Sequence, residues 1–239
     1  MSDFTTWRSL VDGEEISAIP DSAIHHWPID EGSGGTIEDV IGTHDADVNG
    51  PTWVSNDYRR QYALDGDGVD DYIDLGTLGD YGSEVVSTND FAWVLTLEVD
   101  DPSSGDEILG ARFAFTNVDR LHVQFRGDDE IRCLYGGDRN DFSIGPDLTV
   151  GKHRLVINRS GTGWDGWELY VNGEEQDGSN EGDSGETAEG DLQNDLYMMA
   201  KNSDAAEGHL DCVIDNVIFT DSALSESEIQ DDYDLQPWS

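Results

Sequence analysis

Lysine is almost missing from this sequence. Only Lys152 and Lys201 are present, and lysine and arginine together number 12 against 53 aspartates and glutamates. Phosphate recognition needs clustered positive charge, and here Arg59-Arg60 is the only adjacent basic pair. Nucleic acid is therefore excluded as a partner, and an anionic membrane surface on the same ground. Cysteine is equally scarce, with Cys133 and Cys212 alone. Two cysteines cannot build a zinc cluster by themselves, and neither C-x-x-C nor H-E-x-x-H occurs. A disulfide and two buried thiols both remain open. Long apolar runs are absent too: no stretch approaches the ~20 apolar residues of a membrane helix. The opening MSDFTTWRSLVDGEE has neither the basic start nor the apolar run of a signal peptide. Export by that route, and membrane insertion, are not expected.

What the chain does have is acid. Its formal net charge is -41 over 239 residues. At physiological ionic strength the Debye length is about 8 Å, and such a chain repels itself strongly; in molar salt it falls to about 3 Å and most of the repulsion is screened. The hydrophobic share is 36%, with 7 Trp, 8 Tyr and 7 Phe, enough to build a core. That argues against disorder, the usual companion of high net charge. The composition points to a halophile, an archaeal one.

Strand signals recur from His25 onward. Phe91 to Val99, FAWVLTLEV, alternates with Trp93, Leu95, Leu97 and Val99 on one face. Val69 to Leu75 alternates as well, after Asp65-Gly66-Asp67-Gly68, which reads as a double turn. Further short strands are expected at 108–115, 121–125, 130–135, 153–158, 167–171, 196–200 and 209–219. Residues 173–191, rich in Gly, Ser and acid, read as a polar loop. Asn172-Gly173 supplies the φ > 0 residues of a tight hairpin. One helix is expected, Ser225 to Tyr233. Ser225 and Glu228 have capping-box spacing, and Leu224 is placed to staple onto Ile229. Many short strands with regular turns define an all-β, two-sheet antiparallel jelly-roll sandwich with a short C-terminal helix. We read residues 1–22 as an arm or anchoring segment and 23–239 as the domain.

These pieces fall in a recognisable order. HWPIDEGSGGTIEDVIG, YALDGDGVDDYIDLG, GKHRLVINRSGTGWDGWELYVNGEE and HLDCVIDNVIFTDSALSESEIQDDYD resemble successive segments of the LamG-like jelly rolls of the concanavalin A-like lectin/glucanase superfamily. FAWVLTLEV matches more loosely. The resemblance covers about residues 24–235, and the YVNG hairpin and the ending are its specific parts. Gly151-Lys152 departs from the usual Trp, and Leu210-Asp211 from the usual Gly. The resemblance implies that the first and last strands of the domain lie side by side. It also implies a structural calcium, which takes 6–8 oxygens, held here by Asp39 and Asp215, with Asp30 or Asp45 beside them. A solvated halophilic carboxylate is the competing reading for each, least so for Asp215, which sits inside an apolar strand and needs a cation or donors if buried.

The other habit of the family is sugar binding through loop aromatics beside carboxylates and amides. The candidates are Trp164 and Asp165, and Tyr135 with Asp138, Arg139 and Asn140. Trp167 alternates with Leu169 and Val171 and reads as core. His25 and His26 occupy adjacent strand positions, so a regular strand cannot aim both at one metal. Asn158-Arg159-Ser160 is a sequon. Glucanases of the superfamily carry E-x-D-x-x-E on one strand face, with carboxyls ~5–5.5 Å apart. None of the strands read here carries it, and no G-x-S-x-G elbow occurs.

The expectation is a non-enzymatic surface protein of a haloarchaeal virus particle: a turret, spike or capsid decoration subunit. It would meet sister subunits and virion proteins through the arm, and host-surface glycans through its loops. The alternative is a haloarchaeal carbohydrate-binding or adhesion module, with a glycan-acting enzyme behind both. The expected place is the virion surface or cell exterior, in high salt.

Overall fold

The computed structural model describes residues 10–11, 14–15, 19–55, 62–77, 90–112, 120–127, 129–135, 138–145, 148–149, 151–161, 164–182, 195–202 and 206–234. The strands are β1 (Leu10–Val11), β2 (Glu14–Glu15), β3 (Ala23–Trp27), β4 (Thr36–Ile37), β5 (Ala46–Asn49), β6 (Thr52–Ser55) and β7 (Tyr62–Asp67). There follow β8 (Tyr72–Thr77), β9 (Phe91–Val99), β10 (Glu107–Arg112), β11 (Arg120–Phe125), β12 (Glu130–Tyr135), β13 (Asp138–Ser143) and β14 (His153–Arg159). The last are β15 (Trp167–Val171), β16 (Glu174–Glu175), β17 (Asp177–Gly182), β18 (Asp195–Met198), β19 (Lys201–Asn202), β20 (Ala206–Glu207) and β21 (Asp211–Thr220), followed by helix α1 (Glu226–Asp234).

Alternation explains the layering. In β9, Phe91, Trp93, Leu95, Leu97 and Val99 enter the main core, while Ala92 and Val94 enter a second apolar cluster on the opposite face. A strand buried on both faces belongs in the middle of a sheet, and β9 lies there. The smaller sheet runs β16-β15-β14-β9-β21-β7-β6, with β3 also paired to β21. The larger runs β17-β13-β12-β11-β10-β18-β8-β5-β4, with β19 and β20 at its side. Their inner faces enclose the main core. The pairing of β3 with β21, Trp27 opposite Val217 and His25 opposite Phe219, puts the first and last strands of the sandwich side by side.

β21 carries a bulge. Asp215 pairs with Thr96 and Val217 with Leu95, leaving Asn216 as the extra residue at φ 43°. The insertion changes the phase of the strand. Cys212 and Ile214 before it, and Val217 and Phe219 after it, all reach the main core.

The outer face of the smaller sheet is covered by α1. Ser225 and Glu228 form the expected capping box: the Ser225 amide donates to Glu228 Oε2 at 2.8 Å and the Glu228 amide to Ser225 Oγ at 3.4 Å. Leu224 and Ile229 are buried together in the second cluster. Beneath the helix, Arg154 is 1% exposed and bound to Asp232 by two hydrogen bonds, 2.8 and 3.0 Å. Its Nη1 also donates to Thr96 Oγ1 at 3.0 Å and, at 3.4 Å, to the Asn216 carbonyl that the bulge presents. Asn158 ties the incoming chain: Oδ1 accepts from the Leu224 amide, and Nδ2 donates to the Leu224 carbonyl and to Glu168.

Several expectations need correction. Asp65 and Gly66 continue β7, and the turn begins at Gly68. Gly66 leaves room for the Met199 methyl, which a Cβ there would displace. The polar loop at 173–191 begins instead as the edge strands β16 and β17, the latter paired with β13. An edge strand exposes most of its side chains, so its composition can look like a loop. The sequon Asn158 is 2% exposed and engaged with Leu224, so it is no acceptor for glycan. Cys133 and Cys212 are free thiols, both buried, and burial foremost pushes their pKa values up.

Candidate functional site

Three surface regions collect chemistry. The first is the loop after β4. Asp39 is buried, and its carboxylate organises the turn around it. Oδ1 accepts the amides of His26 (3.0 Å), Ile41 (3.3 Å) and Gly42 (2.9 Å). Oδ2 accepts His25 Nδ1 at 2.6 Å and the His44 amide at 3.1 Å. Burial alone would raise its pKa. The bonds from His25 and from the amides of His26, Gly42 and His44 together outweigh that and hold the carboxyl well below the usual range. His26 points to the other face, as adjacent strand positions must, and donates through Nε2 to Asn216 Oδ1 at 2.6 Å.

This region does not fit the implied calcium. The oxygens of Asp39 are surrounded by N–H donors. Asp215 sits opposite Thr96, on the outer face of its sheet, whereas His25 and its partner Asp39 lie toward Phe219 on the inner side. Asp45 accepts the Asp39 amide and is exposed, and Asp30 does not belong to the cluster around Asp39. A ring of 6–8 oxygens does not form from Asp39, Asp215 and Asp30. A second acidic group, Asp67, Asp70 and Asp71, occupies the β7–β8 turn. Asp71 Oδ2 caps the Asp67 amide there at 2.9 Å.

The second region joins the two sets of sugar candidates. The 3-10 turn Trp164–Gly166 packs on β13 and β17, and β13 carries Asp138 and Asn140. Asp165 is exposed; the side chains of Trp164 and Asp138 lie outside the described ones. Tyr135 is not a platform. It is 2% exposed, edge-on to Phe91 at 5.7 Å, with the Arg159 guanidinium 5.4 Å over its ring and 4.8 Å from Trp167. Alternation with Cys133 and Ile131, both core residues, carries that placement. Asn140 is 5% exposed, across the strand pair from Cys133, and faces inward with it.

The third region went unread in the sequence. A cleft of 660 Å³ opens between the β15–β16 turn, the end of β13 and helix α1, lined by Ser143, Asn172, Glu174, Glu175, Asp177 and Tyr233. The β15–β16 turn is tight because Asn172 and Gly173 take φ 54° and 78°. Glycine suits the position because φ 78° strains any side chain, and a Cβ would also press on the Tyr233 ring at 3.1 Å. Asn172 Oδ1 accepts the Arg154 amide and Gln176 Oε1 the Gly145 amide, so two amides brace the cleft floor while three carboxylates face water. On the outer face of the larger sheet, Tyr72 and Tyr197 stack at 4.4 Å beside Asp74. Burial and then Asp74 push the Tyr197 phenol up to about 12.

The fold is an antiparallel two-sheet β-sandwich with a closed apolar interior and its polar chemistry on loops and edges. A family model for the concanavalin A-like lectin/glucanases superfamily, Laminin_G_3, matches residues 67–230, and the chain belongs to that family. The sandwich itself begins upstream of the matched span, since β3, β5 and β6 complete its sheets. Among curated proteins, none matches. A Trypanosoma rangeli sialidase in complex with sialic acid is similar in fold: TM-score 0.63, 18% identity, 96% of this chain and 35% of that one. The chain thus spans about a third of the sialidase. Domain 4 of a GH43 extracellular arabinanase from Geobacillus stearothermophilus, in complex with arabinotriose, matches at TM-score 0.63 and 14% identity, over 88% of this chain and 97% of that domain. No helix among the described residues is long and apolar enough to cross a membrane.

Proposed function

We propose that this chain is a non-enzymatic glycan-binding domain that works in brine, carried on the surface of a haloarchaeal virus particle. The observation that carries the glycan reading is the 660 Å³ cleft with Tyr233, Asn172 and three carboxylates on its walls. Its size suits a small ligand, a ring can stack on Tyr233, and carboxylates accept hydrogen bonds from hydroxyls. The complex of a similar domain with arabinotriose supports a saccharide as the ligand class. The turn bearing Trp164 and Asp165, packed on β13, is a second candidate site at the opposite end of β15 from the cleft. A glycan array in about 3 M KCl tests both. Tyr233→Ala is expected to weaken binding about tenfold, or ~1.4 kcal/mol, and Trp164→Ala to change ligand preference. An array that stays blank removes the reading.

The spacing E-x-D-x-x-E does occur once, at Glu181, Asp183 and Glu186. β17 ends at Gly182, and residues 183–194 lie outside the described ones. Polysaccharide hydrolysis that disappears in Glu181→Gln would overturn the non-enzymatic reading. The virion reading rests on the charge, the closed jelly roll and the arm ahead of β3. A protein that is monomeric in high salt and in which removal of residues 1–22 changes nothing would end it, and leave the cellular adhesion module.

Brine enters through the net charge of -41. Asp65 and Asp211 titrate above the ordinary carboxyl, from burial first and then from repulsion by Asp71 and Asp67, and by Asp100, Asp65 and Asp67, respectively. A pKa raised in the folded state adds stability that is complete below about pH 4 and is lost as pH rises through the folded values. In dilute buffer, Tm is therefore expected to rise from pH 7 to about pH 4.5, and about 3 M KCl to raise it at pH 7 and remove most of the pH dependence. A Tm indifferent to salt would contradict the halophilic setting.

A further inference from the structure

We propose that His25, Asp39 and His44 bind a divalent transition-metal ion such as zinc. One ligand atom from each lies within 4.8 Å of the others. Two imidazoles and a carboxylate suit zinc, copper or nickel, and are the wrong donors for calcium. Metal–ligand distances of about 2.0–2.1 Å put tetrahedral ligands roughly 3.4 Å apart, so His25 Nδ1 and Asp39 Oδ2, now 2.6 Å apart, have to part slightly to admit the ion.

The parts that must stay still are already held. Asp39 Oδ1 is fixed by three amides. His44 is pinned at both ends of its backbone, by its amide to Asp39 Oδ2 and by Trp27 Nε1 donating to its carbonyl at 2.7 Å. The His25 ring lies flat against Trp27, centroids 5.4 Å apart, with the His44 ring edge-on at 5.0 Å. Partners of this kind orient ligands in metal sites. Gly42 keeps the approach open, because any Cβ there would strike both Asp39 Oδ2 and His25 Nδ1. Binding through His25 Nδ1 takes the other tautomer: Nδ1 gives up the proton it shares with Asp39 Oδ2 and Nε2 takes one from water, so the imidazole stays neutral and no net proton is released. The carboxylate then neutralises one of the two metal charges. His44 is half-buried, so the fourth position faces water and can take an exogenous ligand.

This inference is independent of the glycan reading. The test is calorimetric titration of ZnCl2, with CaCl2 in parallel, into metal-stripped full-length protein in about 3 M KCl. One zinc per chain is expected, undisturbed by a large excess of calcium. His44→Ala should weaken it about 10–100-fold, while Asp45→Ala leaves it unchanged. Should His44→Ala fold poorly, cobalt bound to the wild type is expected to give the intense visible spectrum of a tetrahedral site. Absence of saturable zinc binding, binding unaltered in His44→Ala, displacement by calcium, or an octahedral cobalt spectrum would each overturn the proposal.

Discussion

Asp232→Ala is expected to lower the unfolding free energy by about 3–5 kcal/mol. Asp232 is 1% exposed and is the carboxylate partner of the equally buried Arg154. Removing it leaves the guanidinium beneath α1 without its bidentate carboxylate, holding its bonds to Thr96 and the Asn216 carbonyl. The cost comes chiefly from that uncompensated cation. Replacing both members, Arg154→Met with Asp232→Leu, should therefore recover most of the loss. Asp231→Ala on the exposed side of the helix should stay within about 0.5 kcal/mol of wild type. Thermal unfolding in high salt reads the difference as roughly 2–4 °C per kcal/mol in a chain of this size. Because Tyr233 is the next residue, the same variant should lose glycan binding before it unfolds. A variant with unchanged Tm would show that the pair does not hold the helix down.

Asp39→Ala is expected to cost about 3 kcal/mol, since each bond to a charged acceptor contributes ~1.5–3 kcal/mol and water can reach some of the freed groups. Five donors converge on this carboxylate, four of them backbone amides. Without it the turn at 39–44 has no internal acceptor to close on, and proteolysis should cut there first. Asp45→Ala, which removes one exposed acceptor, serves as the control and should lie near zero. Equal resistance of wild type and Asp39→Ala to limited proteolysis would refute the assignment. Calcium-dependent protection of the wild type that is lost in Asp39→Ala would restore the oxygen-ligand reading that the geometry disfavours.

How much of this was legible in the sequence follows the range of each interaction. FAWVLTLEV, the Asn172-Gly173 turn and the Ser225–Glu228 cap are local patterns, and each stands where its pattern placed it. Pairings distant in sequence were not legible. Arg154 meets Asp232 across 78 residues and Asn158 meets Leu224 across 66, and no local signal links them. The bulge at Asn216 was hidden for another reason. VIDNVIF reads as one strand, and only its partner β9 reveals the extra residue. Tyr135 could have been read correctly from its alternation with Cys133 and Ile131. Asp39 was singled out by the family resemblance, but the two histidines that give it a chemical role came into view only with the fold.

β21 sits between β9 and β7 in the smaller sheet, and it is made long after both. During synthesis those two strands wait with unpaired edges, one of them facing both the main core and the second apolar cluster. Native closure cannot precede translation of the 211–220 segment, so the topology predicts a late, concerted final step rather than gradual consolidation. A ribosome stalled before Asp211 would hold a nascent chain with two open sheet edges, the form most prone to aggregate.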